Sequence, residues 1–302
     1  MEKVRIDFRD QIARNKRKSV FLMLSVIVFI VLLGWAISNA FSPEYFTLIM
    51  IIATIISILY VVISYYNSDK ISIAAVGAKP AKQSEYKDYY NLVEGLTIAS
   101  GLPKPRLYVM PSRQINAFAS GRDPKHAVIC VTEGALEKLD RRELEGVLAH
   151  ELGHVGNYDM RYMTTVAVLV GMVSIISQIF LRSLWFSGGG GGRDDGKAKA
   201  IFMLIGILLA IIAPIAVYFV QMSISRKREY SADASAVKFT RYPQGLIGAL
   251  KKIEKDYEFD NSRMHKKKPS KALAPLFFAS PFSKLASTHP PIEKRIKALE
   301  RM

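Results

Sequence analysis

The chain has 302 residues, half of them hydrophobic, with 42 Lys plus Arg against 26 Asp plus Glu and a formal net charge of +16. Its one cysteine, Cys130, excludes an intramolecular disulfide and any zinc–thiolate cluster, and reads as a small buried apolar residue in a strand. So basic a balance points to nucleic acid or an anionic membrane surface; with no zinc finger and no interleaved aromatic–basic platform, we expect no nucleic-acid partner and a lipid bilayer as neighbour.

Residues 1–19 form a basic N-terminal stretch with Lys3, Arg5, Arg9, Arg14, Lys16, Arg17 and Lys18. Two long apolar runs follow, Val20–Ala40 and Phe46–Tyr65, and two more occupy Val166–Leu184 and Ile201–Val220. Each reaches the ~20 residues that a helix needs to cross the hydrocarbon core. The sequence therefore predicts four transmembrane helices, two in segment 20–66 and two in 164–222. Arg182 lies near a helix end, where it can snorkel to the interface, and Pro214 should kink the last helix. The first run is too long for a signal peptide and lacks a convincing small-residue cleavage site. Lys and Arg favour the cytosolic side. The Phe41–Tyr45 loop has neither, whereas Arg226, Lys227 and Arg228 follow the fourth run. This places both termini and the middle region in the cytosol. The 187–199 loop, with five consecutive glycines at Gly188–Gly192, becomes a flexible outer connector. Its Arg193, Lys197 and Lys199 are partly offset by Asp194 and Asp195.

Two regions remain for the soluble part, 67–163 and 223–302. In the first, Glu85–Ser100 reads as a helix broken by Gly101–Pro105. Arg106–Met110, Ile115–Ala119 and Lys125–Val131 read as strands. Thr132 can cap a helix through Leu139, and Asp140 with Glu143 opens the next helix as a capping box. Met264–Lys271 reads as a mobile basic loop, and Ile292–Glu300 as a helix that begins next to Pro291. The expected fold class is mainly α with a small β-sheet.

The helix opened by Asp140 carries His150-Glu151-Leu152-Gly153-His154. Residues i and i+4 share a helix face, so His150 and His154 can bind one zinc ion while Glu151 acts on a water at the metal. Such a site takes a third protein ligand. The extension with a glycine three and a histidine six residues beyond the second histidine is absent, because Asn157 and Met160 stand there. The best remaining candidate is Glu229 in Arg228-Glu229-Tyr230-Ser231-Ala232-Asp233. Asp233, four residues on, shares its face and can accept the N–H of a zinc-bound imidazole. The runs from His154 to the glycine loop and from the loop back to Glu229 are nearly equal, each roughly 50 Å as helix. An antiparallel pair joined there brings His154 and Glu229 to one level.

Taken together, these motifs make the chain resemble the HtpX-type membrane metalloproteases, relatives of the CAAX prenyl protease. The match runs over the whole length: paired N-terminal spans, His-Glu-x-x-His, a second pair of spans, Arg-Glu-Tyr-x-Ala-Asp, and a C-terminal Thr-His-Pro-Pro. The resemblance implies a gluzincin-type fold with zinc ligands His150, His154 and Glu229 and the catalytic base Glu151. It also implies an edge strand, Asn116-Ala117-Phe118, that pairs with substrate backbone. His289 and Arg295 are implied to face the scissile carbonyl or to steady the site. One zinc per chain, polypeptide substrates, and cleavage of misfolded or damaged membrane proteins at the cytosolic face of a bacterial-type plasma membrane follow from it as expectations. Two other classes are a prenyl-peptide protease, disfavoured by the four spans, and an inactive membrane adaptor, disfavoured by the intact Glu151.

Overall fold

The structure is a computed structural model and describes residues 8–41, 46–166, 226–261, 278 and 290–302. Helices α1 (Phe8–Phe41) and α2 (Phe46–Tyr66) pack on each other and include the residues of the first two long apolar runs. A short α3 (Ser68–Ala75) follows, unexpected from the sequence. Among the described residues no single helix is long and apolar enough to cross a membrane. The bent pair Met50–Tyr66 and Ser68–Ala75, at 75° to each other, meets that criterion by length and composition. The third and fourth expected spans, apart from Val166, lie outside the described residues, as do the glycine loop and Met264–Lys271.

Next come β1 (Lys79–Pro80), α4 (Lys87–Ser100), β2 (Arg106–Met110), β3 (Ala117–Ser120) and β4 (Val128–Thr132). The four strands form one mixed sheet in the order β1-β2-β4-β3. β2 and β4 are parallel, with Leu107 opposite Ile129; β3 is antiparallel to β4, with Phe118 opposite Cys130. Thus β3 is an edge strand. Helix α4 starts two residues later than expected, because the amides of Glu85 and Tyr86 both bond to the Lys82 carbonyl in a turn. It stops at Gly101, whose φ of 70° is a left-handed value that glycine adopts at little cost.

α5 (Glu133–Lys138) begins where the Thr132 side chain accepts from the Ala135 amide. α6 (Arg141–Gly156) begins at a complete capping box, in which Asp140 accepts from Glu143 N–H and Glu143 reaches back to Asp140 N–H. After a further helical stretch over 159–166, the C-terminal region supplies α7 (Arg226–Thr240), α8 (Pro243–Asn261) and α9 (Ile292–Leu299).

The core lies between one face of the sheet and α6, with α4 and α8 closing it. Ile129, Leu148, Leu152, Leu250 and Ile253 are fully buried in it. Each such side chain contributes about 1.5–3 kcal/mol by leaving water. Two glycines let neighbouring backbones approach α6. A Cβ on Gly146 would stand 2.6 Å from Leu246 N on α8, and one on Gly153 would stand 3.1 Å from Ala232 Cα on α7. The second contact lays α7 along the His-Glu-x-x-His face.

Candidate metal centre

Helix geometry puts His150 and His154 one turn apart on α6, and both are buried in spite of their polarity. Their Nε2 atoms face each other at 3.1 Å. From α7, Glu229 enters the same space: its Oε2 lies 3.8 Å from His150 Nε2 and its Oε1 3.6 Å from His154 Nε2. One donor atom from each residue falls within 4.8 Å of the others. Two imidazole nitrogens and a carboxylate oxygen converging in a buried site are a metal donor set. Nearby, Glu151 Oε1 is buried with no hydrogen-bond partner among the described residues, an arrangement that costs free energy unless another group completes it. These residues fit a metal ion.

Each imidazole is oriented from behind. His150 Nδ1 lies 2.8 Å from Asp233 Oδ1. Arg295, from α9, holds that carboxylate bidentately, through Nε at 3.0 Å and Nη2 at 2.6 Å. Its Nη1 lies 3.6 Å from Glu229 Oε2. Arg295 is 2 % exposed, so its guanidinium is committed to the acidic groups of α7. His154 Nδ1 lies 3.3 Å from Asp159 Oδ2, just beyond α6. The other oxygen of Asp159 accepts from Asn15 Nδ2 of α1 at 2.7 Å.

These surroundings split the titrations. Burial, reinforced by the Arg295 charge, pushes His150 down to about 4, a neutral ligand at physiological pH. Burial acts in the same direction on His154, but the Asp159 hydrogen bond and the Glu229 charge outweigh it and raise His154 to about 9. Burial raises Glu151 to about 7, with Glu229 adding to the effect and His154 opposing it. Burial alone would raise Asp233; Arg295 and His150 together hold it below the ordinary carboxylate range.

The expected edge segment is beside the metal centre. Asn116 is buried, and its side-chain oxygen accepts from the Ala117 amide as β3 begins. Ala117 faces the main core, while Phe118 packs with Cys130, Met110 and Ile73 on the opposite face of the sheet. Ala119 hydrogen-bonds through its backbone to the Glu151 carboxylate. The Ala117 carbonyl accepts from the Phe278 amide at 2.8 Å. The main-chain groups of Ala117 and Ala119 thus point to the edge that β4 does not occupy. His289 lies outside the described residues; Pro290, beside it, is buried.

Of the expected site residues, the structure brings together His150, His154, Glu229, Glu151, Asp233 and Arg295, with β3 alongside. Three partners were not anticipated: Asp159, Asn15 and Phe278. Asp159, five residues past His154, was within reach of a search for an imidazole partner. Asn15 and Phe278 left no local signal, since each meets the site only through the tertiary fold.

A buried carboxylate next to a metal donor set and an edge strand is equipment that metallopeptidases use, and the comparisons with known proteins agree. The profile of Peptidase family M48 matches residues 83–302, and the chain belongs to that family; its substrates are therefore polypeptides. Among its relatives are Protease HtpX homologs from Caldanaerobacter subterraneus subsp. tengcongensis and Lactobacillus helveticus. The first is 42% identical over 303 residues, covering 96% of both chains. The second is 40% identical over 302 residues, covering 97% of this chain and 99% of the relative. A solved structure of S. mikatae Ste24p matches with a TM-score of 0.49 at 20% identity, over 96% of this chain and 67% of that one.

Proposed function

We propose that the chain is a membrane-anchored zinc endopeptidase that cuts misfolded or damaged membrane proteins at the cytosolic face. The observation that carries the chemistry is the convergence of His150, His154 and Glu229 within 4.8 Å beside the buried carboxylate of Glu151. Two nitrogens and one oxygen suit zinc, and three protein ligands leave a catalytic site open to solvent or substrate. When bound, zinc supplies a positive charge that polarises a peptide carbonyl and acidifies water.

The chain's own residues do the rest. β3 offers its outer edge to an extended peptide, at the Ala117 carbonyl that here accepts from the Phe278 amide. Glu151 takes a proton from the attacking water and returns it to the leaving amine. In the metal-free chain, burial raises its carboxyl to about 7. Asp233 fixes the tautomer of His150 by accepting from Nδ1, and Arg295 fixes Asp233. His289 is assigned to the developing negative charge on the scissile carbonyl.

Membrane anchoring is supported by the exposed apolar side chains of α1 and α2. Phe21 is 64% exposed, Val28 57% and Ile63 56%, along with Leu24, Ile51, Ile55 and Ile56. A stripe of this size belongs against lipid or protein, not water. The basic residues that precede it orient the site toward the cytosol. For the topology, cysteines at Gly190 and Ser262 are labelled with an impermeant thiol reagent in intact cells; native Cys130 is buried. Reaction at 190 and protection at 262 is expected, and the reverse would overturn the cytosolic site.

For the activity, the purified full chain is analysed for metal and incubated with casein. About one zinc per chain and casein fragments that disappear in Glu151→Gln are expected. A zinc-loaded chain that leaves casein intact but cuts prenylated peptides would replace the substrate class. One that cuts neither would remove the peptidase reading.

A further inference from the structure

Phe278 lies against β3 and beside the metal centre. Its amide donates to the Ala117 carbonyl at 2.8 Å, on the edge of β3 that β4 leaves open. Its ring meets the His150 ring edge-on, with centroids 4.8 Å apart. The Arg295 guanidinium lies over that ring at 4.8 Å from its centroid. The residue is 2 % exposed.

Phe278 is part of the main apolar core, yet two of its walls are polar: a candidate metal ligand and a guanidinium held by Asp233. The backbone bond is equally telling. An extended peptide adding to β3 must use the outward acceptor of Ala117, and Phe278 is using it. A side chain attached to that peptide residue is then delivered against His150 and Arg295, and the Glu151 carboxylate is bonded to the Ala119 backbone two residues along β3.

We propose that the seat held by Phe278 is a substrate side-chain subsite beside the metal, shaped for a large apolar or aromatic residue of an extended polypeptide, and that Phe278 occupies it as an internal competitor. The proposal rests on the peptidase reading and adds to it a side-chain preference and a built-in restraint. The preference follows from the walls: an aromatic ring stacks edge-on to an imidazole and takes up a cation–π contact, whereas a carboxylate would add a charge to the dry cluster of Glu229 and Asp233. The restraint follows from competition, because the apparent affinity for a substrate falls by the fraction of molecules whose subsite is free.

The test uses the full chain, zinc-loaded, with two quenched-fluorescence decapeptides that differ at a single central position, Phe or Asp, in a Gly/Ser/Ala background. The native chain should favour the Phe peptide by on the order of 10–100-fold in kcat/KM, the range a shaped apolar pocket supplies. Phe278→Ala should lower KM for the Phe peptide several-fold with kcat little changed. Phe278→Leu keeps apolar volume for packing, and should show a smaller drop in KM at a melting temperature close to that of the native chain. In the Glu151→Gln background, direct binding of the Phe peptide should tighten by the same factor when Phe278→Ala is added.

If Phe278→Leu melts normally and leaves KM and the Phe-over-Asp preference untouched, the subsite is refuted while the peptidase stands. If both variants lose kcat and melting temperature in parallel, Phe278 is a core residue and the proposal fails. If the zinc-loaded native chain cleaves neither peptide nor casein, the peptidase reading falls and takes the subsite with it.

Discussion

Asn15 and Asp159, 144 residues apart in sequence, are joined by a hydrogen bond of 2.7 Å, and the other oxygen of Asp159 reaches the Nδ1 of His154. A buried amide at the foot of α1 therefore bears on the metal centre. A partner of this kind fixes the ring orientation of a ligand and raises its basicity. Asp159→Asn and Asn15→Leu should each weaken metal binding, on the order of 10–100-fold for the first and less for the second. Competition against a chromophoric chelator measures this. Lys16→Gln removes a contact of α1 over the Tyr158 ring without touching Asp159, and should leave metal affinity unchanged.

Glu151→Gln should keep the metal and lose turnover by on the order of 10²–10⁴, the range attributed to general acid–base catalysis. The amide has the shape of the carboxylate but cannot take the proton. Metal analysis and single-turnover cleavage on one preparation check both halves. Native-like turnover would show that the proton goes elsewhere.

Glu229→Ala should lose metal and activity together, and full metal occupancy under chelator challenge would show that another residue is the third ligand. Arg295→Ala separates support from transition-state chemistry. It leaves Asp233 buried without its cation, and removing one member of such a buried pair typically costs about 3–5 kcal/mol. A large fall in melting temperature is therefore expected, with the position of His150 affected through Asp233. Should the variant instead melt normally and lose only kcat, Arg295 acts on the substrate carbonyl.

Removal of the metal should give a protein whose stability falls as pH rises from about 6.5 to 9. His154 is raised to about 9 in the folded chain, so its contribution is complete below its unfolded value of about 6.5 and is lost as pH climbs through 9. Glu151, raised to about 7, is lost in the same direction, beginning near its unfolded value of about 4.3. His150, depressed to about 4, acts oppositely and only below pH 6.5. Metal should reverse the upper trend, because ligands bind deprotonated and affinity grows with pH. Thermal melts across this range, with chelator and with zinc, test the crossing.

Much of the site was legible because its signals are local. The i, i+4 histidines, the Asp140 capping box and the Glu229–Asp233 spacing each depend on one helix turn. β2 came out at its expected bounds, Arg106–Met110. The other two strand readings slipped where side chains redirect the backbone. β4 starts at Val128, not Lys125, because Asp123 accepts from the His126 amide and winds Pro124–His126 into a 3-10 turn. β3 starts at Ala117, not Ile115, because the Ile115 amide goes to Asp256 of α8 and the Asn116 side chain takes the Ala117 amide. β1 has two residues, Lys79 and Pro80, too few to show any alternation. Asn15 and Phe278 depend on contacts over more than a hundred residues, which no pattern along the chain records.

Gly153 sits between the two histidines of α6, and the absence of its side chain lets α7 settle against them. An added Cβ would come within 3.0 Å of Ser235 Cβ and 3.1 Å of Ala232 Cα, so α7 would have to yield by a few tenths of an ångström. Glu229 rides on that helix one turn away. The separation between the nitrogen and oxygen donors is therefore written into the width of a hydrogen atom, and Gly153→Ala is a ruler for the metal itself. A slightly wider cage should disfavour zinc, with its short bonds of about 2.0–2.2 Å to nitrogen and oxygen, more than larger ions. Discrimination among metals in this chain would then depend as much on helix spacing as on the identity of its ligands.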